Sequence, residues 1–201
     1  MAFTIREIPD DIVDSMKQKN IWITDCPVPI ARLRLIDLEH YNFDQKIISG
    51  KIIVHEIVAK QVLAIFQELL AIKFPIEKVV LIDEYNGSDE NSMVDNNSSC
   101  FNHRKILGSD VISMHSYGLA IDINPVQNPY IIGGRSKNDL KIWPAGGVDY
   151  LNRANQRPGM VEQIVPIFAK YGFGIWGGKW DLPIDYHHFQ VDRAKLTEFV
   201  V

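Results

Sequence analysis

Cysteine is scarce: there are two in 201 residues, Cys26 and Cys100. They are far apart and form no metal-type pair, which excludes a disulfide-dense scaffold and a thiolate zinc cluster. One disulfide in an oxidising compartment and two free thiols in a reducing one both fit. No apolar run approaches the roughly 20 residues of a membrane helix. No basic cluster or stripe stands out and the net charge is -4, which argues against nucleic acid as a partner. The start, MAFTIREIPDDIVDSMK, lacks the positive charge and apolar run of a signal peptide. Also missing are a Gly-rich phosphate loop, a Gly-x-Ser-x-Gly nucleophile elbow and the His-Glu-x-x-His helix of many zinc proteases. There is no repeat and no low-complexity tract. With 46% hydrophobic and 23% charged residues, the expectation is one soluble globular domain spanning residues 1–201.

What is present lies in two short stretches. SMHSYGLAIDINP, residues 113 to 125, holds His115 and Asp122; WGGKWDLPIDYHHFQ, residues 176 to 190, holds Asp185 and His188. From Leu119 to Asn124 apolar and polar residues alternate, as in a strand, so Asp122 points away from the apolar layer. Ala120 on the same face is small and leaves room beside the carboxylate. Gly118 lets the chain turn between His115 and the strand. In the second stretch Phe189 and Val191 face the core while His188 and Gln190 face the other way. Asp185 stands three residues before His188, in a turn opened by Pro183. Catalytic zinc takes three protein ligands and keeps one position open. His115, Asp122 and His188 make three, and Asp185 is left as a base. Taken singly, each residue reads as a surface, capping or packing group. Their convergence as a set of four points to a mononuclear zinc hydrolase. His187 and His188 are adjacent, and adjacent strand residues face opposite sides. The expectation is therefore that only His188 binds metal and that His187 sits on the cleft wall or packs. His40 and His55 read as ordinary.

These motifs resemble the VanY-like zinc D-alanyl-D-alanine carboxypeptidases, bacterial cell-wall peptidases grouped with phage L-alanyl-D-glutamate endopeptidases. Ser113, His115, Gly118, Ala120 and Asp122 fit the family's first element. Asp185, His188 and Phe189 fit its acid, two residues, histidine, aromatic element. Arg104, in FNHR at 101 to 104, fits an arginine ahead of the first histidine. The runs at 86 to 104 and 122 to 130 also look like one subgroup. The resemblance spans about residues 50 to 192, with residues 1–49 as an extension packed on that region. Two positions depart from the pattern: His103 stands where cysteine is common, and Asp185 where glutamate is common.

The resemblance implies one catalytic Zn2+ on His115, Asp122 and His188, and a peptidoglycan stem peptide as substrate. Asp185 would move the proton. Arg104 would stabilise the oxyanion or hold a substrate carboxylate; a structural ion pair is its plainer reading. Ser113 would contact substrate or orient His115; a simple turn hydroxyl is its plainer reading. Tyr117 and Trp176 would line the cleft, although aromatics so placed are more often core. It also implies action in the cell envelope or outside the cell, and a hedgehog/DD-peptidase-like α+β fold. An acidic chain gains no long-range attraction to an anionic wall, so local contacts would do the binding. Two other readings remain at this point. One is an L-Ala-D-Glu endopeptidase or another amide hydrolase on the same scaffold, including one with a non-wall substrate such as a small dipeptide. The other is a non-catalytic zinc- or wall-binding domain, which would have no need of Asp185 or Arg104. Oligomeric state is not legible.

Along the chain, the pattern predicts a helix at 9 to 18, a strand at 30 to 39 and a helix from His55 to Ala71. The apolar stripe of that helix is Ile57, Val58, Val62, Ile65, Phe66 and Leu69. A strand is predicted at 78 to 82, and a polar loop at 84 to 110 delivers Arg104. A second irregular stretch is predicted at 126 to 150, with Gly133, Gly134, Gly146 and Gly147. Both loops are expected to wall the cleft. Pro158 to Tyr171 reads as a helix ended by Gly172. The predicted fold is α+β: a small antiparallel sheet carrying the metal, with helices packed on one side.

Overall fold

Three strands come first: Thr4–Arg6 (β1), Leu33–Tyr41 (β2) and Ile47–His55 (β3). They form an antiparallel sheet in the order β1-β2-β3. The structure is a computed structural model describing residues 3–133 and 139–199. Both faces of this sheet are covered. Leu33, Leu35 and Ile53 pack with Met16 of helix α1 (Asp10–Gln18), and with Ile21 and Phe101. Ile36, Leu38, Ile52 and Val54 pack with Val62, Ile65, Phe66 and Leu69 of helix α2 (Ala59–Ala71). Helix α1 follows Pro9, with Asp10 and Asp11 in its first turn and Lys17 in its last, as the helix dipole favours.

Six short strands follow: Ala120–Asp122 (β4), Tyr130–Ile132 (β5), Lys141–Trp143 (β6), Ile175–Trp176 (β7), Ile184–Asp185 (β8) and His188–Gln190 (β9). They make two further antiparallel sheets, β4-β9-β7 and β6-β5-β8. Leu119, Ile121, Ile123, Phe189 and Val191 enter the same core as α2. The antiparallel α+β reading holds. The expected single small sheet is instead three, and helices cover the first sheet on both faces.

Several boundaries differ from the sequence pattern. The first long strand starts at Leu33, after a turn of 3-10 helix at Ile30–Arg32. Strand β3 continues through His55, so a 3-10 turn at Glu56–Val58 precedes α2. Ile57 is exposed rather than part of the apolar stripe. Residues 78 to 82 form no strand. The Asn97 side chain takes the neighbour's place, accepting from Val80 N at 2.9 Å and donating to Val80 O at 3.1 Å. The loop at 84 to 110 contains a short helix, α3 (Asp89–Val94). The stretch at 126 to 150 contains β5, β6 and a 3-10 segment, Ala145–Tyr150; Gly134 lies outside the described residues. The late helix divides into a 3-10 turn, Val161–Ile164, and α4, Val165–Lys170. Cys26 and Cys100 do not pair. Among the described residues, no helix is long and apolar enough to cross a membrane.

Candidate metal centre

Alternation on two paired strands builds the floor of the site. In the β4–β9 ladder Asp122 stands opposite His188, and Ala120 opposite Gln190. Directly opposed residues share a face, so the carboxylate and the imidazole meet side by side. Leu119, Ile121 and Ile123 are buried as expected, and so are Asp122 and Asn124 on the other face. The polar face is therefore an interior site rather than a solvated surface. His115 arrives from a 3-10 turn, Met114–Tyr117. Ser113 caps that turn, its Oγ accepting from His115 N at 3.3 Å. Gly118 closes it at φ +66°, where a Cβ would lie 2.5 Å from His55 N. Only glycine fits both demands.

Two imidazole nitrogens and the two oxygens of one carboxylate converge here. His115 Nε2 lies 3.2 Å from His188 Nδ1 and 3.1 Å from Asp122 Oδ2. His188 Nδ1 lies 3.0 Å from Asp122 Oδ1. A tetrahedral zinc with bonds near 2.0–2.1 Å sets its ligand atoms about 3.3 Å apart, so the spacing fits. The outer contacts fix both tautomers. His115 Nδ1 is 2.6 Å from the carbonyl oxygen of Cys100, which can only accept. His188 Nε2 is 2.9 Å from Gln190 Oε1. With a cation bound, both rings can donate outward and turn a lone pair inward. Two lone pairs and a carboxylate, all buried, face one point and lack a donor among them. Chemistry of this kind calls for a cation. Without one the site draws protons. Burial pushes His188 down, but its bond to Asp122 outweighs that and raises it. Burial would raise Asp122, yet His115 and His187 hold it well below the usual carboxylate range. Metal binding would displace protons from such a group.

Asp185 and His187 stand beside this triad. His187 Nε2 is 3.0 Å from Asp185 Oδ1 and 3.8 Å from Asp122 Oδ2, so two carboxylates bracket one nitrogen. Burial acts to lower His187, but those two charges raise it to about 10. Strand alternation does not govern His187, because β9 begins only at His188. His187 precedes β9, and its ring turns inward beside that of His188. Gly177 makes room for Asp185: a Cβ there would meet Asp185 O at 2.5 Å.

The other predicted residues fall at varying places. Arg104 is tied by its backbone to the His115 turn, its N–H donating to Ser116 Oγ at 2.9 Å. Its guanidinium pairs with Asp89 of α3, Nη2 to Oδ2 at 3.0 Å. Tyr130 lies within range of both Arg104 and Asp185. Burial first, then Asp185, pushes its phenol up, and Arg104 opposes them. The Ser113 side chain is committed to its capping role. Tyr117 packs against both cores, and Trp176 stacks on Phe189 while its Nε1 donates to Tyr186 O at 2.8 Å. The aromatic at the site is Trp180, whose ring centre is 5.4 Å from that of His188. The sequence reading passed over Trp180, the Cys100 carbonyl and Tyr130. Gln190 carried a signal, because strand alternation sets it on the His188 face.

No curated protein and no solved structure matches the chain. Residues 107–191 match the family model described as D-alanyl-D-alanine carboxypeptidase. That segment supplies His115, Asp122, Asp185 and His188, and the match supports the VanY-like family that the motifs resemble.

Proposed function

We propose that the protein is a zinc-dependent peptidase that hydrolyses the stem peptides of peptidoglycan, of the D-Ala-D-Ala carboxypeptidase type, at the cell envelope. The observation that carries this reading is the convergence of His115 Nε2 and His188 Nδ1, 3.2 Å apart, on the Asp122 carboxylate, whose Oδ2 lies 3.1 Å from the first and Oδ1 3.0 Å from the second. The triad also forms the one group of metal-competent side chains found among the described residues.

Bound there, a zinc ion would supply a Lewis acid for the scissile carbonyl and would acidify water. Asp185 takes the proton from the attacking water and delivers it to the leaving amine, since it is the nearby carboxylate left outside the ligand set. In this reading Arg104, fixed in charge, and the Tyr130 hydroxyl steady the developing oxyanion or a substrate carboxylate. Trp180 offers an apolar wall beside His188. Other divalent ions suit the same donor set.

One observation favours a second reading, an endopeptidase of the L-Ala-D-Glu kind. Asp89 already engages the Arg104 guanidinium, which leaves less charge for a terminal substrate carboxylate. Digestion of purified muropeptides with zinc-loaded protein, read by mass spectrometry, separates the two. Release of D-alanine supports the carboxypeptidase, and an internal cut supports the endopeptidase. Asp185→Ala should lower turnover by about 10²–10⁴-fold. Unchanged muropeptides, or equal turnover by that variant, would contradict the reading.

A further inference from the structure

Metal binding does not account for the residue next to His188. His187 is 3% exposed, and a buried imidazole needs partners at both nitrogens. Its Nδ1 lies 2.8 Å from the backbone oxygen of Asn128. A carbonyl only accepts, so Nδ1 carries a hydrogen. Its Nε2 faces the other way, 3.0 Å from Asp185 Oδ1. The approach is oblique: Oδ1 is buried and has no well-aligned hydrogen-bond donor. The contact is therefore close rather than linear.

The far end of this chain of contacts is fixed. The Asn128 side chain donates to Ile123 O at 3.1 Å and Gly159 O at 2.9 Å. Its Oδ1 accepts from Val161 N at 3.0 Å and Arg153 Nη2 at 2.8 Å. Arg153 also lies over the Tyr186 ring, 4.4 Å from its centre, so the segment between Asp185 and His187 is pinned from beside as well. The Asp185 backbone is held by pairing with Tyr130. Its carboxyl is not: no other side chain within ion-pair distance of it is found among the described residues.

We propose that His187 is a positioning residue: anchored on the Asn128 carbonyl, it holds the Asp185 carboxyl beside the metal triad. This rests on Asp185 being the base, as read above. The anchor at Nδ1 and the 3.0 Å contact at Nε2 carry the role. The role concerns orientation, not charge or ligation.

Zinc-loaded wild type, His187→Ala and His187→Gln test it. Removing a partner that orients a reacting group typically costs on the order of 10–100-fold. His187→Ala should lose that much in kcat, while KM, zinc stoichiometry and the absorption spectrum of the cobalt-substituted protein stay as in wild type. His187→Gln, whose amide can donate in the same direction, should recover part of the loss. His187→Met fills the space without a donor and replaces the alanine variant if that one does not fold. Wild-type kcat in the donor-free variants, loss of zinc, or no recovery by glutamine would each overturn the proposal. Crystal structures of the zinc-loaded wild type and donor-free variant give a reading that needs no turnover. A displaced Asp185 carboxyl supports the role, and an unmoved one overturns it. Failure of the wild type to cut any muropeptide would count against the proposed function, not against this contact.

Discussion

Strands β2 and β3 pair without a break from Leu33 opposite His55 to Tyr41 opposite Ile47, whereas the strands that carry the candidate site are two or three residues long. Backbone groups in the first region are satisfied by a ladder. In the second they are satisfied by buried amides. Asn124 Oδ1 accepts from Glu77 N and its Nδ2 donates to Pro75 O, and Asn97 and Asn128 serve similarly. The two regions share one apolar core, in which Phe66 is fully buried. The difference teaches where each bond type is useful. Long ladders resist distortion but present side chains only at a fixed repeat. Short strands joined by amide side chains let His115, Asp122, Asp185 and His188 approach one another from two stretches distant in sequence. Every buried amide must then keep its partners.

Three stability measurements test this contrast. The largest effect is expected from Phe66→Ala, which removes the side chain at the centre of the shared core. Urea unfolding should show a loss of about 3–5 kcal/mol, with both regions unfolding in one transition. Two separate transitions would show that the core does not join them. Next is Asn97→Ala. It leaves the N–H and C=O of Val80 without the partners they have at 2.9 and 3.1 Å, and should cost about 1–3 kcal/mol. A neutral result would mean that amide side chains are dispensable where no ladder forms. The smallest effect is expected on the edge of the first sheet, where Arg6 Nε donates to Asp37 Oδ2 at 2.7 Å. Arg6 holds the Asp37 carboxyl below its usual value. The folded state therefore gains from this pair above the ordinary carboxylate pKa and loses that gain as pH falls through the lowered one. Both groups are partly exposed, so Arg6→Ala should cost no more than about 1 kcal/mol at neutral pH, and less in acid. An effect that grew as pH fell would reverse that sign.

The site was more legible in the sequence than the frame. Alternation at 119 to 124 and 188 to 191 placed Asp122, His188 and Gln190 on one face, because that inference needs only the period of a strand. The sequence pattern assigned no strand at Ile47–His55, where Gly50 interrupts the run. A Cβ at Gly50 would lie 2.8 Å from Val79 Cβ, so this glycine serves a close approach made by a segment distant in sequence. Strands β5 and β6 were hidden because three-residue strands are fixed by their neighbours rather than by their own pattern. The inward turn of His187 depends on where β9 begins, and a strand boundary is the least legible feature of a sequence. The partner of Arg104, Asp89, was hidden in a loop whose helix α3 has no apolar stripe to reveal it.

The central claim is that His115, Asp122 and His188 together hold one divalent ion. Equilibrium dialysis against zinc, with metal content measured per chain, tests it most directly. The account predicts one tightly held zinc in the wild type and in Asp185→Ala, and its loss in His115→Ala, Asp122→Ala and His188→Ala. A wild type that retains no zinc, or triad variants that retain it as the wild type does, would contradict the account.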